Sequence, residues 1–214
     1  MELIWLGHAC FRLRSESQVV ITDPFPDTLG LRPDPRPATV VTVSNSHPNH
    51  SNWEGVTGDP HVLTAPGEYQ YAGISVRGVM TTLAQGIPQA QRNVAFSINM
   101  DGVNVCHLGD LNMPITPRQV TELSPVDVLL APMGGGCTLE LEEVLKVMES
   151  LAPKIVIPMH YSIPGVATPL QGLEGFFRRM GISQSEPQPR LVVTPSNLPE
   201  DLKVVQLAPQ GRQA

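Results

Sequence analysis

Short apolar runs separated by turn residues fill the first half of the chain, and each has the length of a single strand. Glu2–Leu6, Cys10–Leu13, Val19–Thr22, Thr39–Ser44, His61–Thr64, Ile74–Val79, Val94–Met100 and Val103–Leu108 are short, rich in Val or Ile, and bounded by Gly, Pro, Asn or Asp. Asp101-Gly102 separates two of these runs, and both residue types tolerate positive φ, which predicts a tight hairpin. The proline-rich stretch Pro24–Pro37 is predicted to be a surface loop.

After Leu108 the apolar spacing turns helical. Thr116-Pro117 predicts a cap followed by proline at the first helical position, opening Arg118–Leu123. Thr138 is expected to cap a second helix whose apolar stripe is Leu141, Val144, Leu145, Met148 and Leu151. Glu140, Glu142 and Glu143 would then sit at the positive end of its dipole. Lys154–Met159 reads as a buried strand. Thr168-Pro169 predicts the start of a third helix, with Leu170, Leu173, Phe177 and Met180 inward and Gly181 as its stop. Leu191–Thr194 and Lys203–Leu207 read as closing strands. Strand runs followed by strand–helix alternation predict an α/β fold, a sheet-on-sheet core with helices outside. No repeat or linker divides the 214 residues, so a single domain, 1–214, is expected.

Composition narrows the partners. Aromatic residues make up only 5% of the chain against 41% apolar, which leaves most burial to Val, Leu, Ile, Ala and Met. No apolar run nears the ~20 residues that span a bilayer. Met1–Phe11 carries Glu2 and no basic stretch, so it does not read as a signal peptide, and a cytoplasmic location is expected. A formal charge of −6 without a Lys/Arg cluster argues against nucleic acid or membrane as partner and leaves a small-molecule substrate. Nothing in the pattern sets an oligomeric state. Cys10, Cys106 and Cys137 are too scattered for a disulfide framework and are expected as reduced thiols.

Three strands end in residues of ligand type. Val40–Ser44 runs into Asn45-Ser-His47-Pro-Asn49-His50, Val103–Leu108 into Gly109-Asp110, and Lys154–Pro158 into Met159-His160. Strand ends on one sheet edge are where α/β proteins place their sites. His47 and His50 are close enough on one loop to share a site, and Asp110 supplies the negative charge a divalent cation requires. The set fits one divalent ion: zinc, or manganese or iron where oxygen ligands complete the shell. Around it, His8 follows a strand and a glycine and could reach the same edge, but a structural histidine bonded to backbone is the expectation. His107 either orients Asp110 or is simply a satisfied polar residue. Asp23 is either a brace for the ligand loop or a strand-end cap. Gly134–Gly136 is expected to bring backbone close to the site edge, and Tyr161 to donate to a developing oxyanion or merely to pack.

Six segments, Leu6-Gly-His-Ala-Cys-Phe11, Thr22-Asp-Pro-Phe25, Val43-Ser-Asn-Ser-His-Pro-Asn-His-Ser-Asn52, His107-Leu-Gly-Asp-Leu111, Gly134-Gly-Gly136 and Val156-Ile-Pro-Met-His-Tyr161, follow one another across residues 2–161. In this order and spacing they resemble the metallo-β-lactamase superfamily, in particular its ascorbate-phosphate-lactonase-like branch of zinc-dependent hydrolases. The resemblance implies a four-layer αβ/βα sandwich. It also exposes departures. The family's His-x-His-x-Asp-His reads Asn45-x-His47-x-Asn49-His50 here, and Gly78–Leu83 lacks the histidine usual before the Val94 hairpin. The resemblance assigns His47 and Asp110 to a first metal position, and His50, Asp110 and His160 to a second.

With Asp110 the only retained carboxylate ligand, at most one tightly bound ion is expected, on His50, Asp110 and His160, with His47 or water completing the shell. Asn45 and Asn49 are read as turn residues ahead of weak oxygen ligands. The implied activity is metal-dependent hydrolysis of a small ester, lactone or phosphate-bearing substrate, with Asp110, His47 and Tyr161 in catalytic roles. The competing expectation is a protein with no metal that binds a ligand or partner without catalysis.

Overall fold

The computed structural model describes residues 1–32, 36–86, 92–166 and 168–213. Its six-stranded sheet runs, in spatial order, Leu191–Val192 (β13), Glu2–Gly7 (β1), Cys10–Arg14 (β2), Val19–Thr22 (β3), Val40–Thr42 (β5) and His61–Leu63 (β6). The seven-stranded sheet runs Lys203–Val204 (β14), Ile155–Met159 (β12), Val128–Pro132 (β11), Val103–His107 (β10), Val94–Met100 (β9), Ile74–Met80 (β8) and Gly67–Tyr71 (β7). Leu31–Arg32 (β4) and Arg212–Gln213 (β15) form a separate ribbon. Within each sheet one half is antiparallel and the other parallel: β3, β5 and β6 in the first, β10, β11, β12 and β14 in the second. Helices Pro117–Leu123 (α1), Leu141–Leu151 (α2) and Glu174–Met180 (α3) follow β10, β11 and β12 in turn, with α1 against β8 and β9 and α2 against β11. This is the expected α/β sandwich.

Local chemistry explains several elements. Asp101 and Gly102 both take positive φ, 54° and 74°, and close the β9–β10 hairpin as expected. Thr116 Oγ1 accepts the Gln119 N–H at 3.3 Å while Gln119 Oε1 accepts the Thr116 N–H at 2.7 Å, so both orphan donors at the start of α1 are satisfied. On β8 burial alternates through Val76, as one covered face requires. The residues of β11 and β12 are buried throughout, the signature of parallel strands covered on both faces.

Elsewhere the tertiary fold overrides the local pattern. Thr138 does not cap α2; its hydroxyl donates to the Gly135 carbonyl at 3.2 Å, and Glu140 takes the N-cap position with no side-chain bond. The buried stripe of α2 is Val144, Val147, Met148 and Leu151, with Leu145 at its flank. The third helix starts at Glu174 rather than near Thr168. Residues before it are bound to other loops: Gln171 N–H donates to the Gly134 carbonyl at 2.8 Å, and its own carbonyl accepts the Ser162 N–H at 2.9 Å. Gly181 ends α3 at φ 67° as expected. Strands β11 and β7 were not among the expected elements: the all-apolar Val-Leu-Leu-Ala-Pro run of β11 has no period of its own, and β7 lacks any apolar alternation. Of the loop expected over Pro24–Pro37, residues 33–35 lie outside the described residues. The rest is no mere surface segment, because Phe25, Leu29 and Leu31 are buried in the core.

One apolar cluster joins residues of both sheets and the helices, with Trp5, Phe11, Phe25, Phe96 and Phe176 its largest fully buried members. Hydrogen bonds also stitch the sheets directly. His160 N–H donates to the His8 carbonyl at 2.9 Å, Val94 N–H to the Ser44 carbonyl at 2.8 Å, and His107 Nε2 bonds the Ala9 carbonyl at 2.8 Å. Among the described residues no helix is long and apolar enough to cross a membrane.

Because Leu129 lies in the middle of β11 with no solvent exposure, Leu129→Ala is expected to lower unfolding stability by about 2–5 kcal/mol, measured by urea denaturation. A loss below about 1 kcal/mol would contradict two-sided burial of this strand.

Candidate metal centre

Every chemically distinctive side chain on one edge leaves the carboxyl end of a strand. His8 follows β1, Asp23 follows β3, the loop 43–50 follows β5, Gly109-Asp110 lies just past β10, Cys137 lies beyond β11, and His160 follows β12. Seven non-glycine residues among those described have positive φ, and three of them, His8 (52°), Asp23 (40°) and His160 (51°), are on this edge. Such backbone costs roughly 1–3 kcal/mol per residue and persists only where surrounding bonds enforce it. The sharp turn points each side chain across the edge instead of along its strand. Gly109, at φ 59°, packs so closely that a Cβ there would lie 2.3 Å from Asn93 Oδ1 and 2.5 Å from Ser44 Cβ.

The side chains form a chain of contacts. Fully buried Asp23 accepts the Ser44 N–H at 2.7 Å and the Ser44 hydroxyl at 2.5 Å, and its Oδ2 lies 2.8 Å from His50 Nδ1. His50 Nε2 is 2.9 Å from Asp110 Oδ2, and His160 Nε2 is 3.1 Å from Asp110 Oδ1. Asn93 fixes this carboxylate from behind, its Oδ1 accepting the Asp110 N–H at 2.9 Å while its amide donates to the Leu108 carbonyl at 3.0 Å. The His8 ring stands edge-on to His50 and His160, with centroids 4.8 and 4.2 Å away.

Burial and charge then divide the histidines. Burial works to lower the His50 pKa, but the Asp110 and Asp23 carboxylates on its two nitrogens outweigh it and raise the value to about 10. Burial likewise works to raise the Asp110 carboxyl, yet His50 and His160 hold it well below the usual carboxylate range. His8 and His160 are pushed down, chiefly by burial, His8 to about 2. Without metal, an imidazolium at His50 thus bridges two carboxylates while two neutral imidazoles stand beside it. Neutral imidazole is the form a metal binds.

The donor set fits a metal ion. His8 Nδ1, His160 Nδ1 and Asp110 Oδ1 are buried and make no hydrogen bond, and such groups are normally satisfied. One donor atom each from His8, His50 and His160 lie within 4.8 Å of one another, as do those of Asp110, Cys137 and His160. A cavity of about 290 Å³ opens onto both groups.

The structure brings His50, Asp110 and His160 together. His47 lines the same cavity but stands apart: it is half-buried, its Nδ1 accepts the Asn49 N–H at 3.2 Å, and its ring centroid is 6.2 Å from that of His50. Asn45 Oδ1 accepts the His47 N–H at 2.9 Å, a turn-forming role, and Asn49 sits half-buried on the cavity wall. Tyr161, expected as an oxyanion donor, is not on the cavity wall. Its ring stacks on Trp5 at 5.0 Å and its hydroxyl bonds Gln206; chiefly through burial its pKa rises to about 12. His107 is a satisfied polar residue, bonded through Nε2 to Ala9 and through Nδ1 to the Gly109 N–H at 3.2 Å. Asp23 is the brace of the ligand loop.

Two residues were missed by sequence reasoning. His8 is part of the cluster and not a backbone-bonded histidine; the bond at this position goes from the Trp5 indole N–H to the His8 carbonyl, at 3.0 Å. The signal was present, because Gly7-His8 ends a strand just as Asp110 and His160 do. Cys137 is a free, solvent-exposed thiol at the cavity wall, its pKa pushed up to about 11 by partial desolvation there and by Asp110. Its position directly after Gly134–Gly136 carried that information.

Removing Asp23 leaves His50 without its inner partner, so Asp23→Ala is expected to cost about 3–5 kcal/mol in denaturant unfolding, and Asp23→Asn less. The His50 pKa moves from 6.5 to about 10 on folding, so its stabilisation is complete below pH 6.5 and fades as the pH rises to 10. Asp110, depressed from 3.8, contributes above that pH and loses its contribution as the pH falls below it. Metal-free protein should therefore melt at a lower temperature near about pH 9.5 than near about pH 6. Equal melting temperatures would contradict the proposed bridge of His50 between two carboxylates.

Comparison with known proteins identifies the family. The profile of the beta-lactamase superfamily domain matches residues 2–160. A metal-dependent hydrolase of Carboxydothermus hydrogenoformans is 27% identical, covering 86% of this chain and 95% of its own length. One from Methanoculleus marisnigri is 31% identical, covering 83% and 88%. A crystal structure from Thermotoga maritima, of a metallo-beta-lactamase superfamily protein, superposes with a TM-score of 0.78 at 32% identity, over 97% of this chain and 98% of that one. The chain belongs to the metallo-beta-lactamase superfamily, among relatives named as metal-dependent hydrolases.

Proposed function

We propose that this chain is a one-ion, metal-dependent hydrolase of a small ester, lactone or phosphate-bearing substrate. The observation that carries the reading is the convergence of His50, Asp110 and His160 with buried, unsatisfied donor atoms at the mouth of one cavity. These three residues would hold the ion, zinc or else manganese or iron, with His8 within reach. What an ion supplies at such a set is Lewis acidity: it acidifies water and polarises a carbonyl or phosphoryl oxygen.

The chain's own groups do the positioning. Asp23 fixes His50 through Nδ1, which turns Nε2 toward Asp110 and the cavity. In His47, Nδ1 is engaged as an acceptor, so the neutral ring carries its proton on Nε2. That N–H suits His47 to donate a hydrogen bond to a substrate oxygen in the cavity it lines. Asn49 is neutral and cannot take a proton, so support for a water nucleophile is weaker than an aspartate would give, and modest turnover is expected. On the side of the ligand loop a second ion would lack donors: Asn45 Oδ1 is already committed to the His47 N–H, and residues 78–83 contain no histidine.

The cavity, about 290 Å³, lies at the lower end of the ~300–1,000 Å³ typical of ligand pockets, which favours a small substrate over a polymer. The acidic charge of −6 points the same way.

Protein purified without chelator and resupplied with zinc, manganese or iron is expected to retain roughly one ion per chain. The ion should be lost in His50→Ala and His160→Ala. Hydrolysis of a panel of small esters, lactones and phosphodiesters should require that ion and fall at least ~100-fold in His160→Ala. Failure to retain any of the three metals rules the reading out. Ion uptake with no turnover across the panel would favour the alternative, a ligand- or partner-binding protein.

A further inference from the structure

Two Gly-linked turns bring one more donor to the site. Past β11 the chain passes through Gly134, Gly135 (φ 60°) and Gly136 (φ 71°) before Cys137. Gly134 lies so tightly on the neighbouring strand end that a Cβ there would be 2.3 Å from the His160 carbonyl oxygen, and its N–H donates to that oxygen at 3.0 Å. On the far side of the cysteine, Leu139 N–H donates to the Leu111 carbonyl at 2.8 Å. The loop is therefore tied at one end to the segment carrying His160 and at the other to the segment carrying Asp110. Cys137 sits between the two anchors. One donor atom each of Cys137, Asp110 and His160 lie within 4.8 Å of one another, while Cys10 and Cys106 are buried in the core.

Two further features point to a ligand role. His160, 1% exposed, keeps its Nδ1 without a hydrogen-bond partner, and Asp110 Oδ1, which makes no hydrogen bond, faces His160 Nε2 at 3.1 Å. The charge balance is also incomplete without sulfur. A divalent ion facing neutral imidazoles and one carboxylate keeps an excess positive charge. A thiolate on the same cavity wall would offset it.

We propose that Cys137 is a thiolate ligand of the ion at this site, joining Asp110, His160 and His50 in a mixed nitrogen, oxygen and sulfur shell that favours zinc-type metals over manganese. The proposal rests on the ion-binding part of the proposed function. Binding is a ligand exchange without redox change: the thiol proton passes to buffer and a sulfur lone pair to the ion.

The test is cobalt(II) loading of the full chain, with absorption read in the near ultraviolet and the visible. Wild-type protein is expected to show a thiolate-to-cobalt charge-transfer band together with visible ligand-field bands. Cys137→Ser should lose the first and keep the second, and its zinc affinity should fall by at least the ~10-fold that loss of an outer partner costs. In unaltered protein, zinc should also slow iodoacetamide alkylation of Cys137 by ~10-fold or more. Cobalt uptake without a charge-transfer band, or a band that persists in Cys137→Ser, overturns the ligand role of Cys137 alone. Absence of any cobalt uptake by wild-type protein overturns this proposal and the ion-binding reading together.

Discussion

The Asp23 carboxylate lies wholly out of solvent, and a buried negative charge is tolerated only where hydrogen bonds and an opposite charge replace its water. Here those partners are the Ser44 N–H, the Ser44 hydroxyl and His50 Nδ1. Each one fixes something else. The Ser44 bonds hold the loop after β5 against the turn after β3, and the Ser44 carbonyl in turn accepts Val94 N–H from the other sheet. Gly109 can then approach only as a residue without a side chain. The remaining contact sets the His50 ring so that its other nitrogen meets Asp110. The geometry of the whole edge follows from satisfying one buried charge.

That edge is electrostatically poised for a cation. Asp23, His50 and Asp110 form a line of alternating sign, and the proton on His50 holds the centre of it in the absence of metal. Two further imidazoles are kept neutral, chiefly by burial. A divalent ion held by these residues would supply positive charge in place of that proton, and Asp23 would still orient His50 from behind, as outer partners do at metal sites. His8 and Cys137 line the same cavity as Asn45 and Asn49 and are further side chains of donor type.

The same edge explains why small strand-end turns matter so much. His8, Asp23 and His160 each adopt left-handed backbone, and the cross-sheet bond from His160 N–H to the His8 carbonyl holds two of them together. Strain of this kind is retained where two sheets over-determine the conformation.

Much of this was legible in the residue order alone. Alternation and turn chemistry located the hairpin at Asp101-Gly102, the capping box at Thr116, and most strands of the first half. The strand-end positions of His50, Asp110 and His160 marked the site, because those features depend on neighbours a few residues away. What the tertiary structure decided is non-local. Strand β11 was revealed by burial on both faces, and the delayed starts of α2 and α3 by loops that bond to one another before either helix begins. Tyr161, one residue from His160, turns away to stack on Trp5, while His8 and Cys137 turn in. The direction of a side chain at a strand end is set by positive φ and by bonds to the opposite sheet, and neither can be read from one segment of sequence.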